Sequence, residues 1–233
     1  MRIGEFDKKG FVVIKNILCE DEISHLIRSL SKLSSKNTVS KKKGSIYGVR
    51  NLLNLLPEIR KFAESESVRE IVENFIGKDA KPVRAIYFDK NPDANWKVPW
   101  HQDLTISVEE KIETEGFSAW TLKAGIQHVQ PTVDILENIL TLRFHLDSTD
   151  ETNGALKVLE GTHKYGRLSA DEIKLCKHKA NSFLCKASKG DVLIMKPLLV
   201  HSSSAGSKPK NRRVVHIDFS NVSLPNGLKW YGS

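Results

Sequence analysis

The sequence predicts a mainly β fold with flanking helices, a barrel or sandwich of the jelly-roll kind, on three observations. From Pro82 onward, short strand-like runs at 83–88, 100–107, 140–146, 155–159, 191–196 and 213–219 are separated by Gly, Pro, Asn and Asp clusters. No regular helices alternate with these runs, which argues against a parallel α/β sheet. Strong turn signals, Asn153-Gly154 and Lys189-Gly190-Asp191, punctuate them. The 233 residues suit one domain over 1–233, with a largely helical portion of about 1–80 packed on a jelly-roll core of about 81–233.

The elements follow in order. Phe11-Val12-Val13-Ile14 has the branched, apolar character of a buried strand. Glu20-Asp21-Glu22 then places acids in the first turn of a helix whose apolar face is Ile23, Leu26, Ile27 and Leu30. The Ser- and Lys-rich stretch after it, with Lys41-Lys42-Lys43 beside Gly44, reads as a loop. A second helical stretch starts near Pro57, a favourable first-turn residue, and runs through Ile59, Phe62, Val68, Ile71, Val72 and Phe75 toward Gly77.

Composition narrows the function. With 27% charged and 39% hydrophobic residues the chain is neither disordered nor fibrous. The longest apolar runs are broken by Lys196 and Pro197, far short of the roughly 18–20 residues that span a bilayer. The start lacks signal-peptide character and the Trp-Tyr-Gly-Ser end is not a peroxisomal address, so a soluble, cytoplasmic protein is expected. Three cysteines without a Cys-x-x-Cys pair fit a reducing compartment. The net charge of +8 is spread along the chain and reads as a solvated surface.

Trp100-His101-Gln102-Asp103-Leu104 carries the chemistry. On a strand, side chains alternate, so His101 and Asp103 share one face while Gln102 points away. An imidazole and a carboxylate so placed can grip one metal ion, and His201, after Leu198-Leu199-Val200, can supply a third ligand. Two His and one Asp form the facial triad of non-haem Fe(II) oxygenases, which leaves open positions on the metal. Arg212, with Arg213 beside it, opens the strand-like Val214–Phe219 run, and its planar fork suits a carboxylate-bearing co-substrate.

Asn95-Trp96-Lys97-Val98-Pro99-Trp100-His101-Gln102-Asp103-Leu104-Thr105, Asn153-Gly154-Ala155-Leu156, Gly161-Thr162-His163, His201 and Arg212 together resemble the phytanoyl-CoA dioxygenase family. The resemblance extends from Gly10-Phe11-Val12-Val13-Ile14 to the C-terminal region. It implies a double-stranded β-helix (jelly roll), Fe(II), and 2-oxoglutarate as co-substrate. It places His101, Asp103 and His201 as iron ligands and Arg212 as partner of the far carboxylate of 2-oxoglutarate. It also places Arg143 along the co-substrate. A carboxylate at Asp103, where halogenating relatives carry a small residue, implies hydroxylation of an aliphatic C–H with release of succinate and carbon dioxide. Where many related dioxygenases carry Ser or Thr two residues after the arginine, this chain has Val214, so Ser203 or Thr105 is expected to supply the hydroxyl.

The insertion from about 109 to 137 is expected over the mouth of the site. It offers no match to coenzyme A ester recognition; pocket walls are expected from it and from the N-terminal helical region, with Ile106, Ile112, Phe117, Trp120, Leu122 and Ile126 as candidates facing a small apolar or amphipathic substrate. His128 and Gln130 read equally as cavity lining or as loop residues. His145 reads as a satisfied core histidine, His163 as a turn residue, His216 as structural, and Lys90 and Lys97 as solvated. Two rival functions remain: a non-catalytic jelly-roll module binding metal or a small anion, and a nucleic-acid oxygenase. No basic stripe with stacking aromatics supports the second.

Overall fold

The computed structural model describes residues 2–33, 39–42 and 45–232. Its elements, in chain order, are α1 (Ile3–Lys9), β1 (Phe11–Ile14), α2 (Glu20–Ser31), β2 (Val39–Lys42), β3 (Ser45–Val49), α3 (Leu52–Leu55), α4 (Pro57–Ala63), α5 (Glu66–Ile76), β4 (Lys81–Lys90), β5 (Val98–His101), β6 (Ile106–Val108), β7 (Ser118–Lys123), β8 (Ile126–Gln130), α6 (Val133–Glu137), β9 (Ile139–His145), β10 (Leu156–Leu159), a 3-10 turn (Thr162–Tyr165), α7 (Ala170–Lys179), β11 (Ser182–Cys185), β12 (Val192–Met195), β13 (His201–Ser203) and β14 (Arg212–Ser220).

A seven-stranded sheet runs β1-β12-β9-β14-β4-β3-β2 and a four-stranded one runs β11-β10-β13-β5. Their strand pairs are antiparallel, and together they form the expected jelly roll. Residue alternation sorts the large sheet into two faces. Val192 and Ile194, Leu142 and Phe144, and Val215, Ile217 and Phe219 pack with Leu26, Leu52, Ile59 and Val68 of the helical layer. Phe62 meets Phe144 edge-on at 4.8 Å. The alternate residues Leu193 and Met195 pack with Phe11 against Leu156, Val158 and Cys185 of the small sheet.

Two N-terminal expectations need correction. The Ser/Lys segment read as a loop contributes β2 and β3, a hairpin pairing Val39 with Val49 that joins the large sheet at β4. Lys41 and Lys42 are on β2, while Lys43 and Gly44 lie outside the described residues. The long second helix is two, α4 and α5, because Ser65 takes an extended conformation (φ −64°, ψ 153°) at the N-cap position of α5 and breaks the helical run there.

A third sheet, β6-β8-β7, is built mostly from the 109–137 insertion. Most of the candidate substrate walls prove to be core or surface. Ile106 and Phe117 pack with Val108, Leu136, Leu198 and the C-terminal Leu224, Leu228 and Trp230, with Ile112 and Trp120 against them. Leu122 is exposed. The returning C-terminal segment consumes that apolar surface, with Val108 bridged to Trp230.

Candidate metal and co-substrate site

His101 and His201 are register partners across β5 and β13, with ring centroids 4.2 Å apart. Strand β5 ends at His101, so the strand proposed for 100–107 is interrupted over 102–105. Asp103 nevertheless turns inward, its N–H donating to the Pro197 carbonyl at 3.0 Å. Gln102 holds this turn from the other side: its amide donates to the carbonyls of Gly166 (2.8 Å) and Leu198 (2.7 Å) and accepts from Leu168 N–H (2.8 Å). The sequence signalled only that Gln102 points away; its role as a clamp depends on a loop 64 residues further along.

The imidazole Nδ1 atoms lie 2.9 Å from the Pro99 carbonyl in His101 and 2.8 Å from the Leu199 carbonyl in His201. A carbonyl only accepts, so both Nδ1 atoms carry hydrogen and both Nε2 lone pairs are free for a metal. Those Nε2 atoms sit 3.8 Å and 3.6 Å from the two Asp103 oxygens. Burial, working against the Asp103 charge, pushes the His201 pKa down to about 4, keeping the ring in its neutral, ligating form. Burial alone would raise the Asp103 carboxyl; its electrostatic interactions with His201, His216 and the Arg84 guanidinium outweigh it and hold it below its usual range. Among the described residues, no other group of three His, Cys, Asp or Glu brings its donor atoms so close. A cleft of about 760 Å³ between α1, the 3-10 turn and α7 contains no member of this triad.

Three buried cations face the same interior. Arg212, Arg143 and Lys90 are 4%, 7% and 2% exposed, and none is ion-paired among the described residues. Alternation along β14 separates Arg212 from Arg213, which faces outward to a two-pronged pair with Asp147 at 2.7 and 2.8 Å. Arg212 Nη1 donates to the Gly154 carbonyl at 2.6 Å, and Arg143 Nη1 to His216 Nδ1 at 2.9 Å. The Nε atoms of both arginines are buried without a partner, as is His145 Nδ1. Burial and the Arg143 charge bring Arg212 down to about 9; burial with both guanidiniums brings Lys90 to about 7. Unpaired buried cations are costly, and a carboxylate guest would satisfy them.

Lys90, read as solvated from sequence, is thus an interior residue. It continues the inward row Arg84, Ile86 and Phe88 of β4, a period-two signal that reaches two residues past the expected strand end. Its Nζ donates to Ser203 Oγ at 2.8 Å, which brings the Ser203 hydroxyl beside these cations where Val214 offers none. Thr105 lies on the loop beyond Asp103, its carbonyl accepting from Arg84 Nη1 at 2.8 Å. His145 is buried but not satisfied at Nδ1, and burial drives it to about 3. His128 is no water-facing loop residue: it sits buried on β8 with Nδ1 donating to the Ile126 carbonyl at 2.9 Å, and burial takes it to about 4. His163 stays in the 3-10 turn.

A jelly roll carrying His-x-Asp and a distant His beside buried, unpaired arginines places the chain in the class of non-haem Fe(II)- and 2-oxoglutarate-dependent enzymes. The profile described as "Phytanoyl-CoA dioxygenase (PhyH)" matches residues 6–214, and the chain belongs to that family. It is 22% identical over 250 residues to the peroxisomal phytanoyl-CoA dioxygenase of Mus musculus, covering 92% of this chain but only 66% of the relative. It is 22% identical over 270 residues to the phytanoyl-CoA dioxygenase domain-containing protein 1 homolog of Caenorhabditis elegans, covering 97% of this chain and 91% of the relative. Its fold matches that of EctD from S. alaskensis, crystallised with 2-oxoglutarate and 5-hydroxyectoine. The TM-score is 0.74 at 16% identity, covering 100% of this chain and 79% of EctD.

Proposed function

We propose that the protein is an Fe(II)- and 2-oxoglutarate-dependent dioxygenase that hydroxylates an aliphatic C–H of a small organic molecule. His101 Nε2, His201 Nε2 and the Asp103 carboxylate hold the metal. Arg212 receives the far carboxylate of 2-oxoglutarate, with Arg143, Lys90 and Ser203 completing the cradle and Thr105 bordering it. Bound iron would activate dioxygen at the expense of 2-oxoglutarate. The chain's own residues fix the ligand tautomers, neutralise the co-substrate charge and exclude water behind it. The single observation that carries this reading is the convergence of two free Nε2 atoms and one carboxylate beside buried cations that form no close ion pair among the described residues.

The substrate is proposed to be a small molecule rather than nucleic acid. Asp218, on the inward row of β14 beyond Arg212, is already ion-paired to Arg84 at 2.6 Å, so that row offers no further free cation for a phosphate. Three unpaired thiols, Cys19, Cys176 and Cys185, support a reducing, cytoplasmic setting. No helix among the described residues is long and apolar enough to cross a membrane.

The test is anaerobic addition of Fe(II) and 2-oxoglutarate to metal-free protein. A visible metal-to-ligand charge-transfer band is expected, lost in His201→Ala and weakened in Arg212→Ala, with 2-oxoglutarate consumed once oxygen is admitted. Folded protein that shows no band would make the metal- or anion-binding module the better reading.

A further inference from the structure

A second polar arrangement crosses the interior face of the large sheet on three neighbouring strands. His216 on β14 is the register partner of Arg143 on β9, and Asp218 is the partner of Thr141 on β9 and Arg84 on β4. Arg143 Nη1 donates to His216 Nδ1 at 2.9 Å. A guanidinium has no lone pair to offer, so His216 Nδ1 is the acceptor and Nε2 carries the hydrogen. That hydrogen goes to Asp218 Oδ1 at 3.0 Å. Asp218 also accepts from Thr141 Oγ1 and from Arg84 Nε, each at 2.6 Å. Arg84 in turn donates through Nη1 to the Thr105 carbonyl.

An internal polar row of this kind is weak evidence for stability, because apolar residues of the same volume would fill the space at less cost. Its two ends suggest another role. At one end Arg143, with Nε still unpartnered, lies close enough to Arg212, Lys90 and Asp103 for its charge to act on all three. At the other end the Thr105 carbonyl belongs to the loop that carries Asp103. We propose that His216 and Asp218 are positioning residues: they hold Arg143 as a second cationic contact for the co-substrate carboxylate and, through Arg84, tie that contact to the loop of the metal-binding carboxylate. This rests on the oxygenase reading above.

The prediction is selective. His216→Leu deprives Arg143 Nη1 and Asp218 of a partner, whereas His216→Gln keeps one acceptor and one donor. Titration of Mn(II)-loaded protein with 2-oxoglutarate by calorimetry should show about tenfold weaker binding for His216→Leu, the loss expected for one charge-assisted hydrogen bond. His216→Gln should lie between this and wild type, and Mn(II) affinity should stay within about twofold for both, since neither touches a ligand atom. Arg84→Met should also weaken 2-oxoglutarate binding, and less than multiplicatively when combined with His216→Leu, because the two act through one unit.

If His216→Leu does not fold, Thr141→Val serves, removing one bond to Asp218 at nearly constant volume, with roughly two- to threefold weaker binding expected. Wild-type binding with an indifferent His216→Leu (or Thr141→Val) overturns the inference alone. Equal weakening of metal and 2-oxoglutarate marks a merely structural role and also overturns it. If wild-type protein binds no 2-oxoglutarate in the presence of Mn(II), the oxygenase reading falls and the inference with it.

Discussion

His101 and His201 are register partners on β5 and β13, and each donates Nδ1–H to the carbonyl two residues before it, Pro99 and Leu199. The same local device on two antiparallel strands turns both Nε2 atoms inward, toward the Asp103 carboxylate. The backbone therefore sets the tautomer and the ring plane before any metal arrives, which lowers the reorganisation that binding would cost.

Removing the carboxylate should abolish this site. Outer-shell partners alone are worth about 10–100-fold in metal affinity, so Asp103→Ala should weaken Mn(II) binding by more than about 100-fold and stop 2-oxoglutarate turnover. Equilibrium dialysis with Mn(II) and an oxygen electrode check the two effects. Undiminished turnover would remove Asp103 from the triad.

Arg212 has one carbonyl partner and an otherwise free fork, so Arg212→Ala should cost roughly 100-fold in 2-oxoglutarate affinity, two charge-assisted bonds' worth. Arg212→Lys should recover only part of it, since an ammonium cannot bind a carboxylate with two parallel bonds. A calorimetric series on Mn(II)-loaded protein reads both.

Lys90 gives the cradle a pH dependence. Burial beside two guanidiniums lowers its pKa to about 7, so it is cationic below that pH and neutral above. A dianionic guest favours the cation, so binding takes up a proton as pH rises past 7. The dissociation constant for 2-oxoglutarate should then climb by up to about tenfold per pH unit above 7, until the pKa of Lys90 in the bound state is passed. Lys90→Met should bind more weakly at pH 6 and show a flatter profile. A wild-type profile already flat between pH 6 and 8.5 would mean that binding leaves the protonation of Lys90 unchanged in that range.

The sequence made some of this legible and hid the rest for physical reasons. That His101, Asp103 and His201 converge and that Arg212 turns inward was readable from residue type and local spacing, and the resemblance joined the distant pieces. Arg143 was placed by the resemblance alone. Strand alternation carried further than it was used: the same parity that sends Arg212 inward and Arg213 to Asp147 also brings Lys90 inside. The Arg84–Asp218–His216–Arg143 row was not readable, because it depends on which residues of β4, β9 and β14 stand opposite one another. That register is set by long-range pairing. The hairpin β2–β3 was missed because its polar residues lie at the sheet edge, where no apolar alternation marks a strand.

Gln102 offers the last prediction, on stability and site geometry at once. It is 6% exposed, and all three of its hydrogen bonds go to backbone groups: Gly166 and Leu198 carbonyls and the Leu168 N–H. Gln102→Leu keeps the volume but strands those backbone groups, at about 2–3 kcal/mol if none finds water. In a chain of this size that corresponds to a drop of roughly 4–12 °C in Tm. The same change frees the turn that aims Asp103, held otherwise by the Asp103 N–H to Pro197 bond. Mn(II) affinity should therefore fall together with Tm, whereas a substitution equally buried but remote from the turn, Leu142→Ala in the helical-side core, should lower Tm by as much or more and leave Mn(II) affinity at the working temperature unchanged. Calorimetric melting and Mn(II) dialysis on the two variants separate a clamp from a filler: if both variants keep wild-type metal affinity, Gln102 holds the loop at 166–168 and nothing more.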